Sequence, residues 1–149
     1  MKIRIRDVVA GGYQIEYTIK PADIGLENED FLDPEKPLKV SADLQKVDNV
    51  LIAQVHVIYT REAFCARCLE HFSRPAALQH EIDFDIVPGD EWVDLGERIR
   101  EEMILEDMPR VLCRANCLGI CPDCGADLNT EKCQCDVPLN GVMKKKRSQ

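Results

Sequence analysis

Eight cysteines, spaced as Cys65-x2-Cys68, Cys113-x3-Cys117, Cys121-x2-Cys124 and Cys133-x-Cys135, are the residues of this chain best suited to chemistry. Short-spaced thiol pairs suit a metal ion, because a tight turn directs two thiolates at one centre. Cys121-Pro122-Asp123-Cys124-Gly125 is the strongest such turn, and its glycine permits a backbone conformation that exposes amides to the sulfurs. The six cysteines from Cys113 to Cys135 lie in a segment with no sizeable apolar run. Such a segment buries too little apolar surface to offset chain entropy, so cross-links or metal must order it.

Loop-closure cost favours the most local grouping, Cys121, Cys124, Cys133 and Cys135 around one ion. Cys65, Cys68, Cys113 and Cys117 then form a second set that ties a strand turn to the segment after a helix. The single residue between Cys133 and Cys135 is tight for two ligands of one tetrahedral ion, which leaves open that one of them is free. Structural zinc, two ions in all, is the leading reading. Iron–sulfur and redox or disulfide chemistry are the alternatives. A closed four-cysteine site has no open position for water or substrate, so it stabilises shape rather than catalysing. His71, three residues after Cys68, is a substitute ligand, whereas His56 and His80 read as structural. No His-Glu-x-x-His, phosphate-binding glycine loop or Ser/His/Asp arrangement is present, and Glu81, Asp83 and Asp85 read as the polar face of a strand. The expectation is a protein that is not an enzyme and has no evident small-molecule substrate.

The elements that must position these thiols are mostly strands. Ile3 and Ile5 alternate with Lys2, Arg4 and Arg6, and Tyr13, Ile15, Tyr17 and Ile19 alternate with polar residues after Gly11-Gly12. Residues 21–37 are acidic and carry Asp-Pro and Lys-Pro steps, the mark of a loop. Leu38, Val40, Ala42 and Leu44 predict one face of a strand, and Asp48-Asn49 predicts the turn into Leu51, Ala53, Val55, Val57 and Tyr59. A second long strand carries Phe72, Ala76, Leu78, His80, Ile82, Phe84 and Ile86, so Cys65 and Cys68 fall at a strand-to-strand turn. Pro88-Gly89-Asp90 ends the β-region. Asp94, with Glu97 as in a capping box, opens a helix over 94–108 that Pro109 stops. Leu95, Ile99 and Met103 form its apolar stripe, widened by Ile104, Leu105 and Met108. The fold class is α+β: an antiparallel sheet or partly open barrel covered by one main helix, with a small zinc-ribbon-like module. The predicted boundaries are 1–110 for the β-rich domain, 111–138 for the cysteine-rich module and 139–149 for a basic, disordered tail.

The chain has 149 residues, enough for one domain and an appendage, and no stretch approaches the roughly 20 apolar residues of a membrane span. The first residues lack the apolar run of a secretory signal, so the expected location is the cytoplasm, where thiols favour metal over disulfides. A formal charge of -8 argues against a surface that coats nucleic acid. Two four-thiolate zinc sites would deepen it to roughly -12. Any RNA contact must be local, with Lys144, Lys145, Lys146 and Arg147 as weak candidates beside Lys2, Arg4 and Arg6; a solvated terminus is the plainer reading of that run.

Taken together, Cys65-x-Arg67-Cys68-Leu69, an acidic helix, the run Leu112-Cys-x3-Cys-x-Gly-x-Cys-Pro-x-Cys-Gly-x-x-Leu128-Asn129 and a closing Cys-x-Cys resemble the YceD family of bacterial and plastid proteins. The likeness runs from about Leu38 to Pro138 and is most specific from Leu112 to Asn129. Leu128-Asn129 strengthens it, since metal binding alone does not demand that dipeptide. The resemblance implies ribosome biogenesis: synthesis, processing or accumulation of large-subunit ribosomal RNA, with the eight cysteines as ligands and no catalytic residue carried over. The implied partners are a ribosomal precursor particle, a basic ribosomal protein or the large-subunit RNA, with no membrane. The alternative is a zinc-ribbon interaction module of another machine, such as transcription.

Overall fold

The computed structural model describes residues 1–8, 12–106, 110–133 and 135. Gly11, Met108, Pro109 and the basic run Lys144 to Arg147 therefore lie outside the described residues. The described chain falls into two compact units: Met1–Ala63 with Phe72–Pro109, and Phe64–His71 with Arg110–Gln149. The boundary differs from the contiguous 1–110 of the sequence reading. The turn that carries Cys65 and Cys68 is grouped with the carboxy-terminal residues.

The first unit is built on a four-stranded sheet of order β2-β3-β4-β5, where β2 is Tyr13–Ile19, β3 Leu38–Val47, β4 Val50–Phe64 and β5 His71–Asp85. Its register brings apolar residues together on one face: Ile15 opposite Ala42, Ala42 opposite Val55, Val40 opposite Val57 and Leu44 opposite Ala53. All are buried. A one-residue slip would turn this row to solvent, so the alternation itself sets the pairing. Asp48, at φ 53°, makes the two-residue turn between β3 and β4, a left-handed position that aspartate tolerates. The opposite face is a polar lattice in which Gln14 bonds Asp43 and Gln54 bonds Glu81. Among the described strands the four-stranded sheet is open, so the sheet and not the barrel is the observed form.

Three elements depart from the periodic reading. The first strand is only Lys2–Arg4 (β1), because Ile5–Asp7 turns into a short 3₁₀ segment that still buries Ile5. Its partner β6, Trp92–Asp94, is too short to show a period in the sequence. The acidic 21–37 segment is ordered: it begins with a 3₁₀ turn, Pro21–Ile24, and buries Ile24, Leu26, Phe31 and Leu32. Those four residues follow no strand or helix period, so an alternation search passes over them.

The helix α1 spans Leu95–Leu105, with Glu106 as its C-cap, and the Asp94 carboxylate accepts the N–H of Glu97 at 3.2 Å. It ends short of the predicted Met108. Leu95, Ile99 and Met103 are buried as one stripe in the core cluster, while Leu105 is 78% exposed and does not widen it. His80, on the strand face shared with the buried Leu78 and Ile82, is part-exposed and sets its Nε2 3.2 Å from a carboxylate oxygen of Glu102 on α1. Ile99→Ala is expected to cost about 2–5 kcal/mol by opening a cavity, and Leu105→Ala less than about 0.5 kcal/mol. Denaturant midpoints of the two variants check this contrast.

Candidate metal centre

The two Cys-x2-Cys turns are built alike. In the first, the N–H of Cys65 donates to Glu70 O at 2.9 Å and the N–H of Leu69 to Cys65 O at 2.9 Å. In the second, the N–H of Cys121 donates to Ala126 O at 2.8 Å and that of Gly125 to Cys121 O at 2.9 Å. Each turn then needs a left-handed residue just after its second cysteine, filled by Leu69 at φ 60° and Gly125 at φ 74°. Leucine pays for this conformation with steric strain of about 1–2 kcal/mol, which glycine avoids.

The turns lead the thiols into two sets, Cys65, Cys68, Cys113, Cys117 and Cys121, Cys124, Cys133, Cys135; within each, all four sulfurs lie within 4.8 Å of one another. These are the groupings that the loop-closure argument assembles. Cys65 to Cys117 and Cys68 to Cys113 are 3.7 Å apart, as are Cys124 and Cys133, while Cys121 and Cys133 stand at 3.3 Å. Sulfurs at the corners of a tetrahedron with metal–sulfur bonds of about 2.3 Å are about 3.8 Å apart. Cys133 and Cys135 both belong to the second set, joined by a bond from the Cys135 N–H to the Cys133 sulfur at 3.3 Å. His71 is absent from both sets and its ring meets Phe64 edge-on at 5.2 Å.

The electrostatics of each set call for a cation. Burial raises the Cys65 thiol, but the backbone amides of Cys113, Cys68 and Arg67 outweigh it and bring the thiol down to about 6. The amides of Cys124 and Asp123 lower Cys121 to about 7. Other members move the opposite way: burial and the neighbouring thiols push Cys113 up to about 12, and Cys124 and Cys133 push Cys135 up to about 12. Like charges this close cannot all ionise unaided, whereas a divalent ion would stabilise four thiolates together.

Cys65, Cys68, Cys117 and Cys121 are the buried apolar-class residues of the described second unit, so its interior is made of sulfur rather than of aliphatic side chains. A clasp surrounds the sulfurs. Arg67 Nη1 donates to Cys117 O at 2.9 Å, and Arg67 O accepts the N–H of Ile120 at 3.1 Å. Gly119 lies against this carbonyl at φ 79°, where an added Cβ would sit 3.0 Å from the Arg67 oxygen. Asn129 caps the Leu118 N–H at 2.8 Å and donates through Nδ2 toward the Cys117 sulfur at 3.5 Å. The Leu-Asn dipeptide thus has a role at the thiols that spacing alone conceals. The one sequence signal for it was its place in the family-like run.

Residues 76–141 match the family model described as "Large ribosomal RNA subunit accumulation protein YceD". Residues 76–141 of the chain are similar to the YceD family. A relative from Zea mays, "Large ribosomal RNA subunit accumulation protein YCED homolog 1, chloroplastic", is 36% identical over 76 residues, covering 43% of this chain and 26% of the relative. The matched part of the chain thus spans about a quarter of the curated relative's length. No solved structure matches the chain. The matched residues include the six cysteines from Cys113 to Cys135, and they begin beyond Cys65 and Cys68.

Two outcomes follow for the clasp and the first set. Gly119→Ala is expected to destabilise the chain more than Gly125→Ala: both incur left-handed strain of about 1–2 kcal/mol, but the Cβ added at Gly125 meets nothing within 4 Å. Side-by-side denaturation measures the difference. With Cys68→Ser, hydrogen exchange should quicken both at Phe64–His71 and after Arg110. Loss of protection confined to the turn would contradict a four-cysteine set.

Proposed function

We propose that this chain is a YceD-family, non-enzymatic ribosome-biogenesis factor that supports the accumulation of large-subunit ribosomal RNA and carries two structural zinc ions. The match over residues 76–141 is the observation that carries the functional reading. The name of the maize relative points the same way.

Zinc is favoured by the donor set and by scale. Four thiolates select zinc or iron–sulfur centres. A polynuclear cluster interposes its own inorganic atoms and spreads its ligands, whereas sulfurs within 4.8 Å of one another suit a single ion. With four protein ligands each site is closed, which supports a scaffold role in which all eight cysteines ligate. The thiolates need a reducing compartment, in keeping with the cytoplasm. The formal charge of -8, deepened by two tetrathiolate sites, favours a basic ribosomal protein or a precursor particle as partner over extended RNA contact.

Depletion is expected to lower large-subunit RNA relative to small-subunit RNA, and the tagged protein should co-sediment with large-subunit precursors. Unchanged RNA together with absence from ribosomal fractions would sink the proposal. Native mass spectrometry should find two zinc ions per chain, lost together with the order of the second unit on chelation.

A further inference from the structure

Asn129 lies in the segment between Cys124 and Cys133, two members of the second set, yet its side chain serves the first. Its Oδ1 accepts the N–H of Leu118 at 2.8 Å, while its Nδ2 donates to Asp127 Oδ1 at 2.6 Å and toward Cys117 Sγ at 3.5 Å. The orientation of the carboxamide follows from its neighbours. The end that meets a backbone N–H must be oxygen, and the end that meets a carboxylate and a sulfur must be nitrogen.

The residue is held in place from the second set's side. Asp127 accepts the backbone N–H of Asn129 at 3.0 Å and the Thr130 hydroxyl at 3.2 Å, and it pairs with Ile120 across the turn that carries Cys121 and Cys124. The N–H of Leu128 reaches Gly119 O at 2.9 Å. The loop closed by the second set therefore delivers a hydrogen-bond donor to a sulfur of the first. A donor on a ligand sulfur orients it and disperses its charge, and such outer contacts tune metal affinity by roughly 10–100-fold.

We propose that Asn129 is the positioning residue that couples the two metal sets, an inference that rests on the metal reading of the cysteines. Filling the second set orders the 121–135 loop and seats Asn129 on Cys117, which raises the affinity of the first set. By linkage, filling the first set raises the affinity of the second by the same factor.

The test uses the full chain, stripped by chelation under reducing conditions and titrated with Zn²⁺ under native mass spectrometry. The one-ion form is mapped by cysteine alkylation. Wild type should pass from no ion to two with little one-ion species. Asn129→Ala should accumulate a one-ion form whose Cys65 and Cys68 are alkylated while Cys124 and Cys133 are protected, with the second ion needing roughly 10–100-fold more zinc. Asn129→Asp keeps an acceptor for Leu118 but removes the donor, and should behave likewise. An Asn129→Ala titration that follows wild type, with no one-ion form accumulating, overturns the coupling while leaving the metal reading intact. A wild-type chain that takes up no zinc overturns the metal reading and the coupling with it.

Discussion

Mutual repulsion of sulfurs held within 4.8 Å of one another is the constraint on which the second unit turns. Four thiols in that space cannot all ionise, and each set responds by lowering one thiol and raising another: Cys65 against Cys113, Cys121 against Cys135. Backbone amides inside the Cys-x2-Cys turns supply part of the compensation. The remainder is what a divalent cation would provide, and the same ion would stand in for the aliphatic core that the described residues of this unit lack.

The first unit solves the ordering problem by different means. Its core is continuous from Ile3 to Met103 and includes the buried rows of β2, β3 and β4, the irregular Ile24 to Leu32 segment and the stripe of α1. Even the buried Arg61 is accommodated, with Nη2 2.9 Å from the Tyr59 hydroxyl. Hydrophobic burial of this kind is non-directional and tolerant, while sulfur ligation is directional and local. Perturbing one of the two should leave the other largely intact.

The paired turns also show how one backbone design is filled by different residues. Gly125 meets the left-handed requirement at no steric expense, while Leu69 meets it under strain and stands 63% exposed. Nothing in the described residues explains why leucine is kept there. Arg67 and Gly119 between them show why residues other than the ligands matter: one bridges two segments by main-chain and side-chain bonds, and the other lets the chains approach.

Local chemistry was legible without coordinates wherever it has a period or a fixed short spacing. The rows of β3 and β4, the Asp48-Asn49 turn, the Asp94 cap and the Cys-x2-Cys turns all depend on residues within a few positions of one another, and loop-closure cost sufficed to group the eight thiols. Contacts that join distant, aperiodic residues were decided by tertiary structure. The burial of Leu26 and Phe31, the pairing of β1 with β6, the exposure of Leu105, the Arg67 bridge to Cys117 and the seat of Asn129 on that sulfur belong to this class. A hydrophobic period or a paired cysteine reports the geometry of one element. A hydrogen bond such as that between Asn129 and Cys117 exists only after several turns have closed, so no single stretch of the sequence carries its signature.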